Sequence, residues 1–466
     1  MTTAYPEAAA RRGAGALALA AGAAASLTAA AYWPGLMTWD PVRQYGEALT
    51  GAFDDWHPPA MAWLWRQLIP VHAGPLPMLV LQLLLYWTGI ATVATAAWRR
   101  GRGGAWALLL CGLWPPALAL TGAILKDCLM TGALLVAVGA LALADDRRSA
   151  PLRVLGIVSL IAAATLRFNA FTAGVPLFVA LLPPAWRSGW ARLAGASLVA
   201  TVLLLAAVPL SGRLIGVERS GVELSLVIFD LGGITEEAGV SVFPDEIEVR
   251  DPVAVNHRCY TPNKWDSYSD WVEPECPLGF TAWNDNVDPQ DVRPYPFWAR
   301  AVLAHPFAYA AHRLHHFAIA TRLLPLTDAV ERPVPNRSAP NPWGFHVADN
   351  PLLHAIDSLA LATAHTPLGW PIVFIALALG TLLASRGVSG AGPITPVALS
   401  ALLFGCGYLV FGVAPELRYQ LWTVIGALLA AVMLVSAPGG RDRRRLICAL
   451  APPALAAAAG LAARVL

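Results

Sequence analysis

Charge is what this chain has least of. Asp, Glu, Lys and Arg make up 13% of its 466 residues, where a soluble globular protein carries roughly a quarter. That shortage excludes an ordinary water-soluble domain, since too little polar surface is available to cover one. Lysine is almost missing, with only Lys126 and Lys264. No basic block or basic domain occurs, which speaks against a nucleic-acid partner. No Cys-x-x-Cys pair occurs among the six cysteines, which removes the usual spacing of a structural zinc site. No repeat of fixed period is visible either.

Apolar residues are abundant instead, at 57% of the chain, and the mean hydropathy is +0.55. A membrane-crossing helix needs about 20 predominantly apolar residues. Runs that meet or approach this lie near 13–32, 75–98, 105–124, 128–144, 154–168, 169–185, 193–211, 366–385, 393–414, 419–436 and 446–464. The expectation is therefore an all-α polytopic membrane protein with about eleven spans. The first run, with Arg11 and Arg12 before it and small residues ahead of Tyr32, also has the form of a cleaved signal peptide. Cleavage would leave the remaining topology unchanged.

Short loops rich in arginine set the orientation of such a chain, because they stay cytoplasmic. Alternate loops hold Arg11 and Arg12; Arg99, Arg100 and Arg102; Arg147, Arg148 and Arg153; Arg187 and Arg192; Arg386; and Arg441, Arg443, Arg444 and Arg445. A cytoplasmic N-terminus puts all six groups on one side. The expected location is the bacterial inner membrane with the active face outside the cytoplasm. Three regions follow: an N-terminal transmembrane module, 1–211, containing a first outer loop, 33–74; an extracytoplasmic loop domain with surface helices, 212–365; and a C-terminal transmembrane module, 366–466. Cys259 and Cys276 fall in the outer domain, where an oxidising compartment favours a disulfide between them. Cys111, Cys128, Cys406 and Cys448 lie in or beside apolar runs and read as small buried hydrophobes.

The polar residues of interest sit at the outer ends of the spans. The first outer loop contains Trp39-Asp40-Pro41-Val42-Arg43-Gln44-Tyr45 and then Asp54-Asp55-Trp56-His57-Pro58-Pro59. Asp40 lies close to the membrane boundary, where lost hydration favours the neutral carboxyl and raises its pKa. Three outer turns are almost too short to leave the bilayer, yet each carries a cation: Lys126-Asp127, Arg167-Phe168-Asn169 and Glu416-Leu417-Arg418-Tyr419. Tight hairpins are most simply closed by Gly, Asn or Ser, so charges there need a reason. Local pairing or snorkelling to water is one. Convergence of Lys126, Arg167 and Arg418 on a phosphate or diphosphate at the membrane surface, beside Asp40 and His57, is the other. In the long outer segment, Phe229-Asp230-Leu231-Gly232-Gly233 and Tyr260–Asp266 read either as turns or as acceptor contacts. His305, His312 and His316 suit a surface helix with His and Arg facing water.

These residues resemble the GT-C glycosyltransferases, membrane enzymes that take a sugar from a polyprenyl-phosphate donor. The likeness is to bacterial envelope, mannosyltransferase-like members. It is carried by Asp40, Gln44, His57-Pro58, Lys126-Asp127, Arg167–Asn169 and Arg418-Tyr419, and covers about residues 20–210 and 400–420. It implies a direct, inverting displacement at the anomeric carbon, with Asp40 as the acid of the first outer loop that activates the acceptor or binds a divalent metal. Pro41 stands where some members carry a second acidic residue, which leaves metal dependence open. Lys126, Arg167 and Arg418 match the cations that hold the lipid phosphate, with Arg43, Gln44, His57, Asp127, Asn169, Glu416 and Tyr419 as further substrate contacts. The acceptor would be an envelope glycan, lipid or protein. Two other functions fit less well. A polysaccharide polymerase or ligase using a lipid-diphosphate donor also needs outward Arg and His. A transporter needs ionisable groups near the bilayer midplane, and no expected span carries one in its interior.

Overall fold

The computed structural model describes residues 7–101, 103–147, 149–326, 332–388 and 392–465. Arg102 and Arg148 of the expected cytoplasmic groups lie outside the described residues, as do the side chains of Arg11 and Arg147. Twenty α-helices occur among the described residues and no strand does. In chain order they begin with α1 (Glu7–Ala31), α2 (Trp39–Thr50), α3 (Ala60–Leu68), α4 (Leu76–Arg99), α5 (Ala105–Cys111), α6 (Pro115–Gly122) and α7 (Lys126–Arg147). Then come α8 (Ala150–Ala164), α9 (Ala170–Leu181), α10 (Trp190–Ile215), α11 (Leu224–Ala238), α12 (Pro252–Cys259), α13 (Phe280–Asn286), α14 (Pro294–Ala304) and α15 (Pro306–Ala320). The last five are α16 (Pro351–Ala364), α17 (Pro371–Ala384), α18 (Ile394–Phe411), α19 (Leu421–Ser436) and α20 (Arg443–Ala462).

Seven of these segments are long and apolar enough to cross a membrane, or eight if the bent pair α5 and α6 is one span. That pair turns by 54° at its break, where Pro115 and Pro116 start the second half because proline tolerates only the first turn of a helix. Helices α8, α9 and α17 occupy three further expected runs but are only 15, 12 and 14 residues long. The chain is thus all-helical, with the several long apolar helices of a polytopic membrane protein.

Two compact units divide the chain. The first contains residues 1–218, 332–406 and 417–458; the second contains 219–331, 407–416 and 459–466. Residues 332–365 therefore group with the apolar helices, separately from the bulk of the long outer segment.

In the first unit α7 is the most enclosed span, packed along α4 and α8. Glycines allow the α4–α7 approach: a Cβ at Gly89 would stand 2.5 Å from Leu135 Cβ, and one at Gly132 would stand 2.7 Å from Leu85 Cβ. Close backbone approach through small residues is how apolar helices gain packing where water gives no driving force between them.

The second unit has its own apolar core around Ile228, Leu231, Phe243, Tyr268, Leu278 and Trp283. A disulfide joins Cys259 to Cys276, with the Cα atoms 5.8 Å apart. Phe229–Gly233 forms the middle of helix α11 and no turn. The expected water-facing histidine helix is corrected: His312, Arg313 and His316 are all buried. His305 closes α14, ahead of a break at Pro306. For His312 and Arg313 the cause is Asp230, a fully buried carboxylate 3.2 Å from His312 Nε2 and 2.6 Å from Arg313 Nη2, while His316 Nδ1 meets Pro262 O at 2.8 Å. A charge without water requires such partners, and α15 rotates to supply them. Cys406 and Cys448 are exposed rather than buried, because both sit on outward faces of α18 and α20.

Candidate functional site

The first unit builds a polar cluster from residues expected in the outer loops, and the backbone around it explains why they meet. Leu36 N donates to Gly122 O (3.2 Å), and Ile124 N donates to Leu36 O (2.8 Å). This short parallel bridge lays the start of the first outer loop along the segment leading into α7. Gln82, fully buried in α4, braces the same segment by donating to Thr121 O and Ala123 O, both at 2.7 Å. Asp40 follows four residues after Leu36, in the first turn of α2. Lys126 and Asp127 follow Ile124 and form the first turn of α7, so they belong to a helix start rather than to a free hairpin turn. His57 is placed by a second bridge, in which Asp55 N donates to Glu218 O and Glu218 N donates to Phe53 O. Arg418 lies in a buried 3-10 turn that leads into α19.

Asp40 stands at the centre. Its Oδ2 is 2.9 Å from Arg418 Nη1 and 3.3 Å from Lys126 Nζ, and its Oδ1 is 3.7 Å from His57 Nε2. Lys126 Nζ also lies 2.7 Å from His57 Nδ1. An ammonium has only protons to give, so Nδ1 accepts and the imidazole proton sits on Nε2, toward Asp40. Arg418 then shares the ring of Tyr419 with Arg167, whose Cζ atoms lie 5.3 and 4.4 Å from its centroid. Arg167 Nη1 reaches Asp127 Oδ1 at 3.1 Å. The sequence neighbours do not neutralise each other: Lys126 turns to Asp40 while Asp127 turns to Arg167.

Burial tends to push the Asp40 carboxyl up, but Arg418, Lys126 and His57 together hold it well below the ordinary carboxylate range. This reverses the direction expected from position in the sequence, where the loss of hydration was visible and the partners were not. Desolvation and the neighbouring Lys126 lower His57 to about 3, so it is neutral at ordinary pH. With Lys126, Arg167 and Arg418 against Asp40 and Asp127, the cluster carries one net positive charge.

Beside it runs a mostly apolar groove of about 660 Å³, lined by Pro58, Pro59 and Phe168 and by Leu205, Val208 and Pro209 of α10. Pro58 directly follows His57, and Phe168 directly follows Arg167. The groove is thus lined by the chain neighbours of two cluster residues, by Asp55 and Arg213, and by a span whose surface is largely exposed, while none of the cluster's own side chains lines it.

Other expected contacts lie elsewhere. Arg43 turns to Asp54 and, at 3.4 Å, to Glu47. Gln44 is buried one turn after Asp40, and Asn169 is buried at the start of α9. The side-chain nitrogens of both have no hydrogen-bond partner among the described residues. Glu416 falls in the second unit. Glu47 is a residue the sequence did not single out. It is buried on α2, and desolvation followed by the charge of Asp54 raises it to about 7. Its only sequence signal is the spacing of four from Arg43 and seven from Asp40, which matters once 39–50 is known to be helical.

Among the described residues, no three His, Cys, Asp or Glu side chains gather in a way that would hold a metal ion. The oxygens of Asp40 face Lys126 and Arg418, so the position a divalent ion would take carries positive charge already; this donor set does not fit one. Comparison of the chain with protein-family models, curated proteins and solved structures finds no match.

Proposed function

We propose that this protein is an inverting membrane glycosyltransferase of the GT-C type, transferring a sugar from a polyprenyl-phosphate donor to an envelope glycan, lipid or protein acceptor on the extracytoplasmic side of the bacterial inner membrane. The observation that carries this is a cluster in which Lys126 and Arg418 meet at Asp40 and Arg167 joins through Asp127 and the ring of Tyr419, beside a mostly apolar groove. A phosphate on a hydrocarbon chain has both requirements: an anion for three cations, and a tail for a groove that opens along a span.

The chemistry follows from what the anion would displace. In the free protein Asp40 neutralises Arg418 and Lys126 and is too acidic to be a strong base. A donor phosphate drawn to these cations takes over that role, and the freed carboxylate becomes more basic. It can then accept the proton of the acceptor hydroxyl as that oxygen attacks the anomeric carbon. The bond to the donor phosphate breaks, and the leaving phosphate keeps the electron pair between Lys126, Arg167 and Arg418. Stabilising that charge is the larger contribution, as preorganised electrostatics usually is.

About eleven crossings belong to this proposal, with α8, α9 and α17 as short ones. At 1.5 Å per residue α8 and α9 reach about 22 and 18 Å, short of a hydrocarbon core of about 30 Å. The Cys259–Cys276 disulfide supports an outward-facing second unit, since such bonds persist in oxidising compartments.

The test is donor consumption by purified protein in nanodiscs, against a panel of labelled polyprenyl-phosphate sugars, with Asp40→Asn alongside. Release of polyprenyl phosphate by the wild type, lowered about 10²–10⁴-fold in the variant, is the expected result. Normal turnover by the variant would remove Asp40 from the mechanism.

A further inference from the structure

Helix α15 is built inside out. Its inward face carries His312, Arg313 and His316, none more than 2% exposed. Asp230 holds the first two, Tyr260 Oη lies 2.9 Å from His312 Nδ1, and Pro262 O lies 2.8 Å from His316 Nδ1. Trp298 of α14 donates its Nε1 proton to the other oxygen of Asp230 at 2.7 Å. The outward face runs the opposite way. Leu303 and Ala304 at the end of α14 lead into Phe307, Ala310, Ala311 and Leu314, all exposed, with Phe307 at 89% and Leu303 at 80%. Phe307, Ala310, Ala311 and Leu314 advance by three or four residues and so form one stripe on α15, with Leu303 and Ala304 just ahead of the break. His315 is the exposed polar residue at its edge.

A helix folding against water does the reverse, with its apolar stripe inward and its charges out. Fully inverted polarity is the pattern of a helix whose outer solvent is hydrocarbon, where ionisable groups turn inward and find partners.

The surroundings of α15 point to the same solvent. Arg313 Nη1 donates to Gly412 O (2.5 Å) and Arg322 Nη2 to Pro415 O (3.0 Å), on the stretch that follows apolar helix α18. Arg464, just past apolar helix α20, donates to Arg322 O at 3.0 Å. The polar face of α15 and the residues after it are thus fastened to the ends of two candidate spans. With 15 residues the helix is about 22 Å long, too short to cross by itself. At the other end of the elbow, exposed Tyr295 and Arg300 on α14 are residue types found at headgroup depth.

We propose that the α14–α15 elbow lies in the outer leaflet, with Leu303 and the Phe307–Leu314 stripe in contact with acyl chains and the Asp230–His312–Arg313 cluster shielded behind it. The second unit would then be a membrane-seated body rather than a freely solvated loop domain, whatever reaction the first unit performs.

Single cysteines at Phe307 and Leu314, in a Cys406→Ala/Cys448→Ala background with the Cys259–Cys276 disulfide intact, can carry an environment-sensitive fluorophore. Asp285→Cys, on exposed polar surface of the same unit, is the reference. The full-length protein is placed in phosphatidylcholine nanodiscs with or without brominated acyl chains. An interfacial helix seats its apolar face roughly 5–10 Å into the acyl boundary, so bromolipid is expected to quench the labels at 307 and 314 at least about twofold more than the label at 285. Iodide in the water should show the opposite order. Phe307 and Leu314 are exposed, so their replacement leaves the buried cluster untouched. Equal bromolipid quenching at the three sites would overturn the proposal. So would protection of 307 and 314 from both bromolipid and iodide, the result expected if a second protein copy covers the stripe.

Discussion

Removing the carboxylate of Asp40 while keeping its shape should do two opposite things at once. In Asp40→Asn, Arg418 and Lys126 lose the negative charge that stands 2.9 and 3.3 Å away. Two unit charges about 4 Å apart interact by about 4 kcal/mol at an effective dielectric of 20. Asp40 is 24% exposed, and water reduces that figure, while Asn still accepts a hydrogen bond. The free protein should therefore lose about 1–3 kcal/mol of stability, below the 3–5 kcal/mol of a fully buried pair broken on one side. The same two cations are now unopposed, so an incoming phosphate no longer competes with a carboxylate for them. Affinity for a polyprenyl phosphate should rise about tenfold or more, which is 1.4 kcal/mol or above, while turnover falls. Tryptophan fluorescence follows thermal unfolding in detergent, and titration with farnesyl phosphate, with farnesol as the neutral control, gives the affinity. A loss of turnover with tighter phosphate binding is what a cationic site held in check by Asp40 requires. Unchanged or weaker phosphate binding in Asp40→Asn would refute a shared anion site, however strongly activity fell.

Glu47 gives a pH prediction. Its folded pKa of about 7 exceeds its ordinary value of 4.5, so the folded state holds the proton more tightly, and the contribution to stability is full below about 4.5 and lost as pH rises to 7. The span of about 2.5 units corresponds to about 3 kcal/mol, and Glu47→Gln should abolish that slope. His57 acts in the other direction: lowered to about 3, it favours folding above its ordinary 6.5 and loses this as pH falls toward 3, so only the difference between Glu47→Gln and wild type isolates Glu47. An identical pH profile in the two proteins would count against a buried neutral Glu47. Replacing Cys259 and Cys276 with serine opens a closed loop of 17-residue separation and should cost the second unit about 3 kcal/mol. Limited proteolysis would detect this as faster cutting within 219–331, with the first unit unaffected. Gly132→Val places methyl groups where even a Cβ comes within 2.7 Å of Leu85 Cβ, and should cost about 1–3 kcal/mol by overpacking, read as a lower unfolding temperature.

The apolar helices were plain in the sequence because a 20-residue hydrophobic run reports a solvent directly. Helices α8, α9 and α17 show the limit: hydropathy continues past their ends through Thr165–Leu166 or Thr366–Trp370, while the hydrogen-bonded helix stops. Lys126 was legible as unusual because charge at a span end has a cost, but not as the first turn of α7, since the bridge between Leu36 and Ile124 that fixes it is made by backbone atoms. Glu47 stayed hidden for the same reason. Its burial depends on α2 being a helix, and Asp-Pro followed by Arg, Gln and Tyr suggests a loop as readily.

The histidine helix shows which physical term sequence patterning leaves out. Reading α15 by its polar residues assumes that polar means wet. Asp230, eighty-two residues before His312 in the chain, reverses that assumption, because a carboxylate buried in α11 must be paired from somewhere, and the nearest helix face turns its charges inward to do so. Asp40 follows the same rule in the first unit. Its position near a membrane boundary suggested a carboxyl pushed toward neutrality, whereas Arg418, 378 residues away, holds it ionised. In both units the sign of the electrostatics is set by a distant cation. Desolvation raises the stakes for a buried acid, but which state wins depends on partners that only the folded chain assembles. That dependence also separates the two clusters in function. The Asp230 network is fully buried, with Trp298, His312 and Arg313 against its carboxylate and Tyr260 against His312. The Asp40 network is partly open, carries one surplus positive charge and lies beside a groove, the features on which the proposed phosphate site rests.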